Sequence, residues 1–370
     1  MPEKPSNITG QIPTPFLLIE EKIVRNNIRR IHDYADRHRF SVRAHVKTHK
    51  SIAIARMQMD AGAVGIAVAK AGEALVMADL GNGDITVAYP AVGKARAEKI
   101  ARLSMKRKIG VAVDSQYVME GLSDAAAIYG TVIGICVMFD VGLHRCGVSD
   151  PAELVRLGEY AQQCHGLRYE GIQMYLGHLY GDAAGDPESL QRINRLWGPA
   201  YKALCSAGLA PATVSSGSTP SLFNTHRIDH VNEIRVGTAV LNDYFVLKFG
   251  HCGLEDCALR VVATVVSDIV PGQVLIDAGS KALSAKQLLR RENLEMGYVV
   301  EYPEARVFRL HEEHGWVDVS RCTHPPKTGD RMSIIPVNAA LCMNLYDHFY
   351  LLAENGHLQR ERVDARGCLV

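Results

Sequence analysis

Along residues 15–240, short apolar, β-branched runs alternate with longer segments in which apolar positions recur every three to four residues. The runs lie at 42–47, 66–69, 84–89, 109–114, 131–140, 169–176, 212–218 and 233–240. The helical spacing is clearest at 22–37 (IVRNNIRRIHDYADRH), 92–106, 152–164 and 188–207. Strands joined by helical crossovers re-enter a sheet in the same direction and so pair in parallel. Eight such units within about 250 residues predict a (β/α)8 barrel of the TIM type, with a doubly wound open sheet as the rival.

Beyond residue 250 the texture changes. Strand-like stretches at 258–267, 273–277, 298–301, 305–310, 331–336 and 344–352 follow one another without long helices. Turns such as Pro271-Gly272, Pro325-Pro326 and Gly329 separate them. This pattern predicts a C-terminal, mostly antiparallel β domain. The expected division is an N-terminal segment, 1–20, joining the β domain through Gln11 to Glu20, a barrel over 21–248, and the β domain over 249–370.

Composition narrows the function classes. With 370 residues, 47% of them hydrophobic, the chain can bury a large core. Lys+Arg 41 against Asp+Glu 40 leaves neither a basic stripe for nucleic acid nor an acidic tail. The opening Met1-Pro2-Glu3-Lys4-Pro5-Ser6 lacks the apolar core of a signal peptide, and no apolar run is long enough to span a bilayer. A cytoplasmic protein without nucleic-acid or membrane partners is expected. Nine cysteines without a C-x-x-C pair read as reduced, mostly buried thiols.

The candidate chemistry gathers at strand ends. Arg43, His45 and Lys47 alternate with Ala44 and Val46, which puts the three polar side chains on one face at the C-terminal end of the first strand. Barrel active sites sit at that end. A lysine there, desolvated and close to other cations, becomes a nucleophile able to form a Schiff base. A surface turn rich in Lys and His is the plain alternative. After the seventh strand, Ser215-Ser216-Gly217-Ser218-Thr219-Pro220 lets backbone N–H groups approach an anion, and Pro220 can open a short helix; an ordinary Ser/Gly turn is the alternative. Asp140 and Arg145 follow the fifth strand, Tyr175 and His178 the sixth, and Arg235 lies in the eighth. Asp140 is read as a structural ion-pair partner.

Over nearly its whole length the chain resembles a known group. Thr14-Pro15-Phe16-Leu17-Leu18, RAHVKTHK (43–50), FDVGLHRCGV (139–148), GIQMYLGH (171–178), IRVGT (234–238), LND (241–243), DAGSKALS (277–284), LHEEHG (310–315) and the 334–347 stretch occur in order. That set is similar to the D-threonine aldolase and D-serine dehydratase group, within the pyridoxal 5'-phosphate (PLP) enzymes of alanine racemase type (fold type III). The resemblance implies a barrel plus β domain, a homodimer with its active site near the subunit interface, and a small amino acid as substrate. By resemblance, Lys47 is the Schiff-base lysine and Arg145 contacts the 3-hydroxyl side of the cofactor. Ser216, Gly217, Ser218 and Thr219 hold its phosphate, and Tyr175 and His178 lie beside the ring or the substrate. Arg235 takes the place that faces the pyridine nitrogen, where an arginine keeps that nitrogen unprotonated and restrains the ring as an electron sink. Lys281, Lys50 and Lys70 rank below Lys47.

The chain departs from the group at one place. Members that cleave or dehydrate β-hydroxy amino acids carry a His-x-Cys or His-x-Asp metal pair just before Asn-Leu-Tyr/Phe-Asp, and here Asn338 and Ala340 stand at those positions. Alanine cannot ligate, and an amide oxygen replaces imidazole poorly, so the usual divalent-metal pair is expected to be lost. A shifted site using Cys342 with His314 or His311 is the alternative, on the premise that Cys342 shares a strand face with residue 340. Three functions follow: a lyase on D-β-hydroxy amino acids with His45, His178 or His314 moving protons, a metal-independent racemase or epimerase, or a PLP carrier without turnover.

Overall fold

The computed structural model describes residues 10–81, 83–290 and 293–370, so residues 1–9 of the expected N-terminal segment lie outside the described residues. Strand β1 (Phe16–Glu20) precedes eight parallel strands: β2 (Ser41–His45), β3 (Gly65–Val68), β4 (Asp84–Val87), β5 (Ile109–Val113), β6 (Ile133–Met138), β7 (Leu167–Gln173), β8 (Thr213–Ser216) and β9 (Glu233–Ile234). Each pairs with the next, and β9 returns to β2 through Ser41↔Glu233 and Val42↔Ile234. The eight strands therefore form a closed TIM-type barrel, and the open sheet is excluded.

The four expected helices run Glu21–His38, Lys94–Ser104, Pro151–Gln163 and Pro187–Ser206. Two share one start signal: Asp150 and Asp186 cap helices whose first residue is proline, accepting from Ala152 N (3.3 Å) and Ser189 N (2.8 Å). Proline has no N–H to leave unsatisfied there, and the capping carboxylate favours the positive end of the helix dipole. Helices Ile52–Asp60, Ala71–Met77 and Gln116–Tyr129 complete the crossovers described.

The first and last barrel strands are shorter than their apolar runs. β2 ends at His45, so Lys47 stands in the turn beyond it, and the run 233–240 contains only a two-residue strand before Thr238–Val240 winds into a 3-10 turn. Arg43 is also not at the mouth. Its Nε donates to Glu233 Oε2 at 2.9 Å, with both side chains largely buried, and a Cβ on Gly65 would meet its guanidinium. Glycine at 65 thus leaves room for an ion pair inside the barrel. Breaking a buried pair from one side strands a charge. Arg43→Met should cost about 3 kcal/mol, read as a lower urea midpoint.

Thereafter come β10 (Leu259–Ser267), β11 (Gln273–Ile276), β12 (Leu288–Arg290), β13 (Asn293–Glu295), β14 (Gly297–Val299), β15 (Arg306–Leu310), β16 (Gly315–Asp318), β17 (Arg331–Pro336), β18 (His348–Leu352) and β19 (Leu358–Arg362). Among the described residues, eight of them with β1 make one nine-stranded sheet, antiparallel except where β1 pairs β18, and β12–β13 form a separate hairpin. The expected strand 344–352 begins only at His348; before it Ala339–Met343 is helical, its Asn338 cap accepting from Leu341 N at 2.9 Å. Strands β12, β13, β16 and β19 were not anticipated. By compactness, Ile28–Lys47, Ile52–Gly237 and Gly367–Val370 form one unit, and the chain up to Asn27, Thr48–Ser51 and Thr238–Arg366 form the other. Among the described residues no helix is long and apolar enough to cross a membrane.

Candidate active site

Lys47 sits two residues past the end of β2, carried there by a strand whose neighbours Ala44 and Val46 are fully packed. Its Nζ lies 5.7 Å from the centroid of the Tyr175 ring, and the Arg145 guanidinium lies over the same ring at 4.5 Å. Burial lowers the Lys47 amine from 10.5 to about 8, and the cations Arg145 and Arg235 push the same way against Glu73. Desolvation and like charge both disfavour an ammonium ion, so a larger fraction of this amine is neutral near physiological pH than of an ordinary lysine.

The other lysines near these motifs are engaged. Lys50 Nζ donates to Asn344 Oδ1 at 2.8 Å, Lys70 Nζ stands 3.5 Å over the Tyr89 ring, and exposed Lys281 pairs with Glu313 at 2.6 Å.

Arg235 is buried. It donates to Ser215 Oγ at 2.7 Å and to Met174 O at 3.1 Å, a fork that fixes the guanidinium plane. Desolvation lowers it to about 10, with Glu233 opposing, so it remains a cation at neutral pH. Next to it β8 runs into Ser216, Gly217, Ser218 and Thr219. Gly217 has φ +131°, in the region that favours glycine, and a Cβ there would come within 3.4 Å of Arg235 O. Ser216 Oγ is buried with no hydrogen-bond partner, and Ser218 Oγ lies 2.8 Å from Ser221 Oγ. Asn232 pins the start of β8 by accepting from Val214 N (2.8 Å) and donating to Ala212 O (2.8 Å). Pro220 does not open an α-helix; a six-residue 3-10 helix, Leu222–Arg227, follows.

His45 is buried at the end of β2, its backbone N–H donating to Val236 O at 3.1 Å. His178 Nδ1 is buried without a partner, and burial lowers the ring's pKa, with Asp140 opposing and His144 assisting. Asp140 accepts from the N–H groups of Gly142, Leu143 and His144 and pairs with His144 Nδ1 at 3.1 Å, so it shapes its loop as expected. His314 belongs to the sheet unit, where it is exposed and its ring lies 6.3 Å from that of Trp316. The sequence reading passed over Glu73, buried in the first turn of the helix Ala71–Met77, whose carboxylate accepts from Ala69 N at 2.7 Å. Nothing local in the sequence marks Ser215 Oγ or the Met174 carbonyl as acceptors for Arg235.

The stretch around Asn338 differs from the strand assumed for it. In a helix, Cys342 does not share a face with residue 340. Its thiol is fully buried and donates to Ala282 O at 3.2 Å, and burial pushes its pKa up. That geometry removes the shared strand face on which the shifted Cys342 site was premised. No group of three or more His, Cys, Asp or Glu suited to a metal ion occurs among the described residues.

A lysine with a lowered pKa, an aromatic ring beside it, a fixed buried cation and a small-residue turn with an orphaned buried hydroxyl fit a phosphorylated pyridine aldehyde such as PLP. Comparison with known proteins points the same way. Residues 19–244 match the family described as alanine racemase, N-terminal domain, and 258–352 match a serine dehydratase domain. The chain is 29% identical to a D-threonine aldolase of Arthrobacter sp, covering 99% of this chain and 96% of that one. It is 29% identical to the D-threo-3-hydroxyaspartate dehydratase of Delftia sp. (strain HT23), covering 94% and 96%. The crystal structure of D-threonine aldolase from Filomicrobium marinum superimposes with a TM-score of 0.89 at 28% identity, over 97% of this chain and 96% of that one.

Proposed function

Because the chain belongs to the alanine racemase N-terminal domain family, with D-threonine aldolase and D-serine dehydratase relatives, we propose that it is a PLP-dependent lyase of D-amino acids, and of those bearing a β-hydroxyl group. The observation that carries this reading is the Lys47 amine, lowered to about 8 beside Tyr175, Arg145 and Arg235. When bound, PLP supplies an electron sink conjugated to the amino group of the substrate, stabilising charge at Cα. Lys47 Nζ would hold the cofactor, and as a free amine it is a base able to move a proton at Cα. Ser216, Gly217, Ser218 and Thr219 would hold the phosphate, and Arg145 the 3-hydroxyl side. Tyr175 would lie beside the ring, and Arg235 would set a cation toward its nitrogen and disfavour a proton there. His45 and His178 are the candidates to exchange a proton with the β-hydroxyl or its product. We place the cofactor-binding residues within 21–248, in a homodimer acting on a small amino acid.

The pH sign follows from the amine. Only its neutral form attacks an aldehyde, and lowering its pKa raises that fraction at pH 7. Capture of PLP by the apoprotein should speed up about tenfold per pH unit and level off near pH 8, whereas an ordinary lysine keeps accelerating toward 10.5. Stopped-flow absorbance across that range checks it.

Turnover of the PLP-loaded protein with D-threonine, D-serine, D-3-hydroxyaspartate and D-alanine, followed by chiral chromatography, tests the reaction. Glycine plus aldehyde, or ammonia plus keto acid, supports the lyase. Inversion at Cα without cleavage makes the protein a racemase, and no turnover at all makes it a carrier.

A further inference from the structure

All nine cysteines are reduced, yet two are already neighbours. Cys252 and Cys257 flank the 3-10 turn Leu254–Asp256, and their sulfurs are 3.9 Å apart. We propose that this pair is an oxidative modification site, at which a peroxide forms a reversible intrachain disulfide.

The backbone on both sides is already held. Asp256 Oδ2 accepts from Gly253 N at 2.9 Å, and Cys257 N donates to Leu254 O at 3.2 Å. The Asp256 carbonyl accepts from Asn27 Nδ2 (2.8 Å) and Asn242 Nδ2 (3.0 Å). Cys257 packs with Tyr244, Leu288, Ile335 and Val337, and Cys252 lies against the same cluster. The sulfurs must close to a bond of about 2.05 Å.

The two thiols are unequal, which sets the order of events. Cys257 is fully buried; its hydrogen bond with Cys252 first, and burial second, hold it protonated. Cys252 is partly exposed and meets the oxidant. The peroxide O–O bond breaks as Cys252 sulfur takes one oxygen, giving a sulfenic acid and one water (for hydrogen peroxide). Cys257 sulfur then attacks that sulfur; its proton leaves with the departing hydroxyl as a second water, and the S–S bond forms. A dithiol reverses the step by exchange. The bridge clamps a turn tied to Asn242, beside Asp243, whose carboxylate accepts from Val246 N and Ala339 N at 3.0 Å each. Oxidation therefore stiffens the anchor of the Asn338–Met343 segment. Cys257 Sγ also reaches Gly253 O at 3.8 Å, a longer contact than the 3.2 Å from buried Cys342 Sγ to Ala282 O, and Cys342 is not among the thiols paired here.

The test uses the intact holoprotein, treated with hydrogen peroxide, denatured without reductant and cleaved after Glu255, between the two cysteines. The expected result is a pair of peptides held together, two hydrogens lighter than their sum and separated by dithiothreitol, with the free-thiol count lower by two. In C257S, Cys252 should stop at a sulfenic acid captured by dimedone. In C252S, Cys257 should stay a free thiol. Wild-type Cys252 advancing to sulfinic acid beside an intact Cys257, or joining a different cysteine, overturns the proposal. None of these readouts depends on the substrate or on turnover.

Discussion

Lys47→Ala should leave the protein folded and without covalently held cofactor. Turnover should fall by roughly 10³-fold or more, because in the proposed mechanism one group serves both as the attachment point and as a proton carrier. The fold has little stake in this side chain: it lies in a turn past β2, and no ion pair anchors it among the described residues. Borohydride reduction of the wild-type holoprotein should fix the cofactor mass on the peptide containing Lys47, and reduction of the variant should fix none. Other lysines are poor substitutes. Lys50 is committed to Asn344, Lys70 to the face of Tyr89, and Lys281 to Glu313. A cofactor mass on any of these three in wild type would sink the assignment.

Why Lys47 was legible in the sequence, and Glu73 was not, is a matter of which physics is local. Alternation of Arg43, Ala44, His45, Val46 and Lys47 follows from the pleat, a property of neighbours along the chain. It nevertheless misled about Arg43, since the same face that presents Lys47 at the mouth presents Arg43 to Glu233 inside the barrel. That partner is 190 residues away in sequence. Glu73 acts on Lys47 from a helix of only seven residues, Ala71–Met77, two turns that give little periodicity to read. Strand ends were blurred because apolar runs continue into buried turns: Val236 and Val240 are as buried as strand residues although β9 ends at Ile234. The helix after Asn338 was missed for a similar reason. An Asn cap is a one-residue signal, and here it sits at the end of an apolar strand that invites extension.

That helix bears on the other large prediction: turnover should survive EDTA. A metal acting as a Lewis acid on the β-hydroxyl contributes several kcal/mol, so an enzyme relying on one loses on the order of 10³-fold when it is stripped. Here Ala340 has no donor atom, and the Asn338 oxygen is occupied in capping Leu341 N at 2.9 Å. We therefore expect rates with EDTA and with added Mn2+ to agree within about twofold, well short of that loss. Activity appearing only with Mn2+ would refute this and require ligands other than the pair at 338 and 340. The converse experiment is Asn338→His with Ala340→Cys. It restores two donors but removes a helix cap worth about 1 kcal/mol. The double variant should bind Zn2+ measurably by calorimetry, where wild type does not, and should unfold at slightly lower denaturant when metal is withheld. If the added metal also accelerates cleavage of a β-hydroxy amino acid, the wild-type residues are the reason the native reaction proceeds without it. If it binds and leaves the rate unchanged, activation of the β-hydroxyl rests with side chains such as His45 and His178.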